Sequence, residues 1–329
     1  MLVPWLEFGL SALAIVVAGY RLGIYGDEIA SATGLSRAWV GLLLLATVTS
    51  LPELSTTITA GAIGAPDISL GNVFGSNLFN MAILFVMDMV GFWFLGKRGK
   101  PLLSRVGGGQ LLNASAAILL SGLAVTGIAL KLPEWWRLGP VSWGILLIYP
   151  LSIWALYRQG TEGASEERVP GRLGPALARF LLAAAVVVVA GMYLASSGKE
   201  IAAETRLTGT FMGALFIAAS TSLPELMSCL GALRVGSEEL LVGNLFGSNM
   251  FNVFTIPFAD LAFKGGLLGA GGMEQVAVAS LSIVLMALAA FGIQRGGRGR
   301  LLGAGYESWL ILVGYLLGIY ILFSRGIEF

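Results

Sequence analysis

The sequence predicts an all-α polytopic membrane protein, ten transmembrane helices arranged as two inverted five-helix repeats. Three observations predict it: a composition too apolar for a wetted surface, a duplication at a fixed offset, and an uneven split of basic residues between alternate loops. Only 12% of the 329 residues are charged, against 56% apolar, where a soluble domain carries about 25% charged residues. Mean hydropathy is +0.84. A bilayer takes roughly 20 mostly apolar residues per helical span, and most of the chain divides into such stretches between short charged or Gly/Pro loops. The alternating segments of about 10 residues that mark a β-barrel do not occur. The start, MLVPWLEF, has no basic run before its apolar stretch, so it reads as a first span rather than a cleaved signal peptide.

The duplication is explicit. TSLPEL at Thr49–Leu54 returns at Thr221–Leu226, and GNVFGSNLFN at Gly71–Asn80 returns as GNLFGSNMFN at Gly243–Asn252, both 172 residues on. GDEIA from Gly26 pairs with GKEIA from Gly198 at the same offset. From Thr47 to Asn80, 16 of 34 positions match their partners without a gap, which chance does not produce. Spans are predicted at approximately 4–24, 38–61, 68–95, 110–130, 139–157, 175–196, 210–233, 240–263, 273–293 and 305–323. Residues 1–157 then form the first repeat, 158–174 a polar cytoplasmic linker too short for a folded domain, and 175–329 the second repeat.

Five spans per half is an odd number, so the halves must lie in opposite orientations. Loop charge tests this: loops after odd-numbered spans, with their flanks, hold 14 of the 20 basic residues, among them Lys97, Arg158 and Arg298. The positive-inside rule puts those loops in the cytoplasm and both termini outside, in the cell (inner) membrane. Inverted repeats with a midplane site between them are the construction of secondary transporters.

Composition also narrows the chemistry. A net charge of +1 suggests no nucleic-acid partner, and Cys229, the single cysteine, allows no internal disulfide. Histidine is absent, so there is no imidazole relay and no Cys/His cluster for zinc or iron. No GxxxxGK[ST] phosphate loop occurs, which argues against ATP-driven pumping. The expected partners are ions and the lipid bilayer, with no cofactor and no enzymatic activity.

The chemistry-bearing residues sit in the repeated motifs. Glu53 and Glu225 lie deep in apolar spans with no Lys or Arg at mid-span; a carboxylate there is costly unless it is paired or faces a polar cavity. Thr49 and Thr221 stand four residues earlier, on the same helix face. Pro52 and Pro224 remove a backbone donor and disrupt the preceding turn, freeing nearby carbonyls. On the next spans Asn72, Ser76 and Asn80, like Asn244, Ser248 and Asn252, form an amide–hydroxyl–amide stripe spaced by four. GxxxG in the same segments permits close helix contact. Carboxylate, hydroxyl, amide and carbonyl oxygens without nitrogen or sulfur suit a hard cation such as Ca2+ or Na+. Two carboxylates are neutralised by one Ca2+ or by two Na+, a physical basis for obligatory exchange.

TSLPEL followed by GN-x-x-GSN-x-x-N, in both halves, resembles the α-repeats of the cation/Ca2+ antiporter superfamily, specifically its prokaryotic Na+/Ca2+ exchanger branch. The resemblance implies ten spans, Ca2+ exchanged for Na+ by alternating access, and sliding of the first and sixth spans across the rest. It implies ion ligation by Glu53 and Glu225, by Thr49, Ser50, Thr221 and Ser222, by Ser76, Asn80, Ser248 and Asn252, and by carbonyls near Ala46 and Ala218. The chain departs from the pattern at Val48 and Ser220, where Gly is frequent before the Thr, and at Asn252, where many prokaryotic members carry Asp. With Asn in both halves only two carboxylates remain, an arrangement that goes with K+-independent exchange.

Asp88 and Asp260 also correspond across the repeat and are expected to serve helix ends; Glu28 and Glu200 are expected as loop or cap residues, and Cys229 as packing. The alternative function is a H+/Ca2+ antiporter of the same fold. A remoter one is an intramembrane carboxylate enzyme, which would not need duplicated Thr, Ser and Asn donors.

Overall fold

The computed structural model describes residues 2–97, 99–132, 136–162, 173–204, 220–297 and 299–324. Its helices are α1 (Leu2–Thr33), α2 (Arg37–Thr49), α3 (Leu51–Ala62), α4 (Pro66–Trp93), α5 (Gly109–Leu130), α6 (Pro140–Glu162), α7 (Leu173–Glu204), α8 (Leu223–Arg234), α9 (Glu238–Ala262), the one-turn α10 (Leu267–Ala270), α11 (Met273–Arg295) and α12 (Tyr306–Ser324). A short hairpin pairs Arg300–Leu301 with Ala304–Gly305.

Local chemistry explains where these helices break. Helix α1 runs past its predicted end until Gly34, whose φ of +73° lets its N–H close on the Ala30 carbonyl at 2.9 Å. Glu28 is therefore helical, a correction to its expected loop or cap position, and it pairs with Arg179 at 2.8 Å. Glu200 is likewise inside α7. Apolarity ends before either helix does, because no breaker follows the last apolar residue.

Ser36 caps α2 by accepting the Trp39 N–H at 3.2 Å. Between α2 and α3, Ser50 adopts φ −96°, ψ 10°, and the axes bend by 49°. Pro52 supplies the cause, since it offers no N–H to the turn before it. Ser222, ahead of Pro224, has φ −88°, ψ 9°. The starts of α3 and α8 and of α4 and α9 are each 172 residues apart, so the sequence duplication is also a duplication of local structure.

Among the described residues, six helices are long and apolar enough to cross a membrane, seven when the bent α2–α3 pair counts as one span. The molecule is a multi-pass helical membrane protein. Leu6, Leu10 and Leu13 on α1 and Leu181, Leu182 and Val189 on α7 are exposed, as suits a lipid-facing surface. Helix α9 is the reverse, buried along most of its length with Asn244, Ser248, Asn249 and Asn252 inside. It meets α2 backbone to backbone: a Cβ on Gly243 would overlap the Ala38 carbonyl, and one on Gly247 would overlap Leu42. Here the glycines serve close contact, as GxxxG predicts. Helix α1 lies equally close to α8 through Gly23 and Gly231, and α7 presents Gly191 to Pro52.

Polar ties fasten both ends of α4 and α9. Asp88 Oδ1 accepts the Leu102 N–H at 3.0 Å and Oδ2 accepts Gly305 N–H and Ser308 Oγ at 2.8 and 2.9 Å, at the start of α12. Asp260 Oδ1 accepts Leu267 N–H at 2.6 Å, and Oδ2 accepts Ser142 Oγ at 2.6 Å and Gly139 N–H at 3.3 Å, at the start of α6. Both serve helix ends, as expected. At the opposite ends, Gln275 donates to Asp67 at 3.1 Å and Gln110 to Glu239 at 2.9 Å. Lys97 and Arg105 pair with Glu238 at 2.6 and 3.3 Å, and Arg300 donates to the carbonyls of Lys97 and Lys100. Three loops predicted to share one side of the membrane thus meet at one end of the bundle.

Candidate ion-binding site

The α2–α3 break, the first turn of α8 and the polar stripe of α9 converge. Ser50, at the α2–α3 break, donates its hydroxyl to Glu225 Oε1 at 2.9 Å, and Ser248 on α9 donates to the same oxygen at 3.4 Å. Thr49 Oγ1 lies 3.5 Å from Ser248 Oγ and 3.5 Å from the Ala46 carbonyl oxygen. That carbonyl also accepts the Ser50 N–H at 3.0 Å, which leaves it a second lone pair. Thr49, Ser50, Glu225, Ser248 and Ala46 therefore form one connected group drawn from both halves of the chain. Glu53 joins it electrostatically, through the charge of Glu225 and the nearby Thr221 hydroxyl.

The oxygen accounting is lopsided. Glu53 and Glu225 are each 1% exposed, yet neither Glu53 oxygen has a hydrogen-bond partner, nor has Glu225 Oε2. Ser76 Oγ, Ser222 Oγ, Asn80 Oδ1 and Asn252 Oδ1 are also buried without partners. Among the described residues no lysine or arginine pairs with either glutamate; the ion pairs lie near helix ends. Buried polar atoms in folded proteins nearly always have partners, and a buried charge left alone is expensive. Two buried carboxylates that keep unpartnered oxygens, with hydroxyls beside them and no basic group, are chemically set to receive a cation.

Of the residues singled out from sequence, Ala46, Thr49, Ser50, Glu53, Thr221, Glu225 and Ser248 come together, whereas Asn80 and Asn252 bond to Asn249 and Asn77. Ala218 lies outside the described residues. Ser76 and Ser222 contribute free hydroxyls rather than contacts to other members of the group. Asn72 and Asn244 lie one turn before Ser76 and Ser248 on the same stripes, and Asn244 Oδ1, like Asn80 Oδ1 and Asn252 Oδ1, is buried without a partner. Their amide nitrogens tie neighbouring helices together, Asn72 to Thr57 Oγ1 at 2.9 Å and to the Glu53 carbonyl at 3.3 Å, Asn244 to Ser228 Oγ at 3.0 Å. Cys229 is buried beside Asn244, consistent with packing.

Sequence reading missed Asn77 and Asn249. Each follows its serine by one residue and so falls off the spaced-by-four face, but in the structure they cross-link α4 and α9. Asn80 donates to Asn249 Oδ1, and Asn252 to Asn77 Oδ1, both at 3.0 Å. Their exact repetition as GSN in both halves was the available signal.

Known proteins resemble the chain over nearly its whole length. It is 26% identical over 333 residues to the inner membrane protein YrbG of Escherichia coli (strain K12), covering 93% of this chain and 98% of that one. It is 26% identical over 263 residues to the sodium/calcium exchanger MaX1 of Methanosarcina acetivorans, covering 70% and 74%. Its fold matches that of the sodium-calcium exchanger NCX_Mj, soaked with 100 mM Na+ and 10 mM Sr2+, with a TM-score of 0.76, 21% identity and coverage of 97% and 99%. The family model for the sodium/calcium exchanger protein matches residues 3–158 and 175–324, and the chain accordingly belongs to the sodium/calcium exchanger protein family.

Proposed function

We propose that this chain is a secondary antiporter exchanging Ca2+ for Na+ by alternating access, without K+, at a site between two inverted five-helix repeats. The observation that carries the reading is a pair of buried carboxylates, Glu53 and Glu225, that have no basic partner among the described residues and keep three of their four oxygens without a hydrogen bond. Glu53 and Glu225 supply the charge. Thr49, Ser50, Thr221, Ser222, Ser76 and Ser248 supply hydroxyls, Asn80 and Asn252 amide oxygens, and Ala46 and Ala218 backbone carbonyls. One Ca2+ or two Na+ balance two carboxylates, so either load crosses without a large uncompensated charge, whereas the empty site is costly to reorient.

In this reading residues 1–157 and 175–329 are the repeats and 158–174 the linker. Helices α8, α9 and α12 complete ten spans with the longer ones, and both termini face outward in the cell membrane. The glycine contacts of α1 with α8 and of α7 with Pro52 give the first and sixth spans smooth faces on which to slide. The cytoplasmic side is the one where the basic loops meet.

A proton-coupled exchange is the competing reading, because two neighbouring carboxylates can be neutralised by protons as well as by metal ions. Radiolabelled Ca2+ uptake into proteoliposomes under imposed Na+, K+ or H+ gradients separates the two. The expected result is flux driven by Na+ and indifferent to K+. Equal flux under a pH gradient without Na+ moves the protein to the proton-coupled branch.

A further inference from the structure

Four asparagines form a closed set across the middle of the molecule. Asn77 on α4 donates to the Asn249 carbonyl on α9 at 3.2 Å, and Asn249 donates back to the Asn77 carbonyl at 3.4 Å. The side-chain oxygens of this pair accept from the opposite helices, Asn77 Oδ1 from Asn252 and Asn249 Oδ1 from Asn80. All four residues are at most 1% exposed. A carboxamide that turns over exchanges donor for acceptor, but a backbone carbonyl can only accept. Asn77 and Asn249 therefore cannot turn over without setting oxygen against oxygen. Their fixed oxygens hold the amide nitrogens of Asn252 and Asn80, which leaves the Oδ1 atoms of those two residues as the unpartnered ends.

We propose that Asn77 and Asn249 are positioning residues that present the Asn252 and Asn80 amide oxygens to the bound cation, each acting on the opposite helix. The assignment rests on the site reading above and adds a specificity device to it. A neutral amide meets a cation favourably by one end only, so a site built from Asn needs its orientation fixed. A carboxylate has two equivalent oxygens and needs no such control.

That difference supplies the test, made on the purified full chain in detergent with Ca2+ affinity read from titration. Asn77→Ala is expected to weaken Ca2+ binding about tenfold, the effect of losing the acceptor that orients a buried amide. In an Asn252→Asp background the same change is expected to cost less than about threefold, while in an Asn80→Asp background the full loss remains. Asn249→Ala should show the mirror pattern, relieved by Asn80→Asp and not by Asn252→Asp. Where alanine prevents folding, Asn77→Ser keeps a hydroxyl for the Asn249 carbonyl but cannot reach Asn252, and it should give the same selective rescue. Equal losses in both backgrounds, or wild-type affinity in Asn77→Ala, overturn the assignment. Wild-type protein that binds no Ca2+ in this assay overturns the site reading itself, and the assignment with it.

Discussion

Among the described residues, four carboxylates are exposed at 1% or less: Asp88, Asp260, Glu53 and Glu225. They form two repeat-related pairs in opposite conditions. Each aspartate has both oxygens occupied by N–H or hydroxyl donors at the start of a helix or loop. The glutamates have three of four oxygens unoccupied. Depth of burial therefore does not separate a working carboxylate from a structural one; satisfaction does. The aspartates have spent their acceptor capacity on the protein, whereas the glutamates keep most of theirs, which the proposed function assigns to a bound cation.

The comparison can be broken most directly at the glutamates. Glu53→Gln or Glu225→Gln is expected to reduce Ca2+ exchange in proteoliposomes by about 100-fold or more, since an ion left with one compensating charge at low dielectric loses several kcal/mol. Melting temperature in ion-free detergent should stay level or rise, because an unpaired buried charge has been removed. Near-normal flux in both variants would make these residues structural. The aspartates should behave the other way round. Asp88→Asn is expected to cost about 3 kcal/mol of stability, and Asp260→Asn about 2, from N–H donors left facing an amide. Asp88 is the larger because Arg300 also approaches it, at 3.3 Å. Folded Asp260→Asn protein should retain Ca2+ affinity within about threefold; a greater loss would put Asp260 on the ion pathway.

Ligand-induced stabilisation sharpens the same contrast. At a Ca2+ concentration about 100 times the Kd, the wild type and Asp260→Asn should each gain about 2.7 kcal/mol, and Glu53→Gln almost nothing, as read from thermal melts with and without the ion. The smallest expected effect is Ser308→Ala, which removes one of four donors around Asp88 Oδ1 and Oδ2 near α12. It should cost about 1 kcal/mol and leave transport rate unchanged.

How far sequence alone reached follows from the kind of signal each residue carries. Glu53, Glu225, Thr49, Ser50, Ser248, Asn80 and Asn252 lie in motifs repeated at a fixed offset, and the cost of placing such groups in an apolar span makes them conspicuous. A sequence does not say which end of an amide is used: the nitrogens of Asn72 and Asn244, like those of Asn80 and Asn252, are tied to a neighbouring helix. Asn77 and Asn249 escaped because helical spacing places them off the chosen face, and their partners lie about half the chain away. The partners of Asp88 were beyond reach for a related reason: Gly305 and Ser308 are joined to it by no periodicity. The helical extensions beyond the apolar runs of α1 and α7 show that hydropathy measures membrane thickness, not helix length.

The polar ties also bear on how such a chain is made. Helix α6 has the donors at its start satisfied by Asp260, which is synthesised 118 residues after Ser142, and Asp88 waits longer still, 217 and 220 residues, for Gly305 and Ser308. Contacts in which one partner's aspartate meets the other's serine, and the reverse, are the pattern of a self-complementary two-fold interface. Neither half can close its own hydrogen bonds, so neither completes folding as it leaves the ribosome. Severed between α6 and α7, the two pieces should be unstable apart and recover one another when co-expressed, as two copies of an unfused ancestor would have had to do.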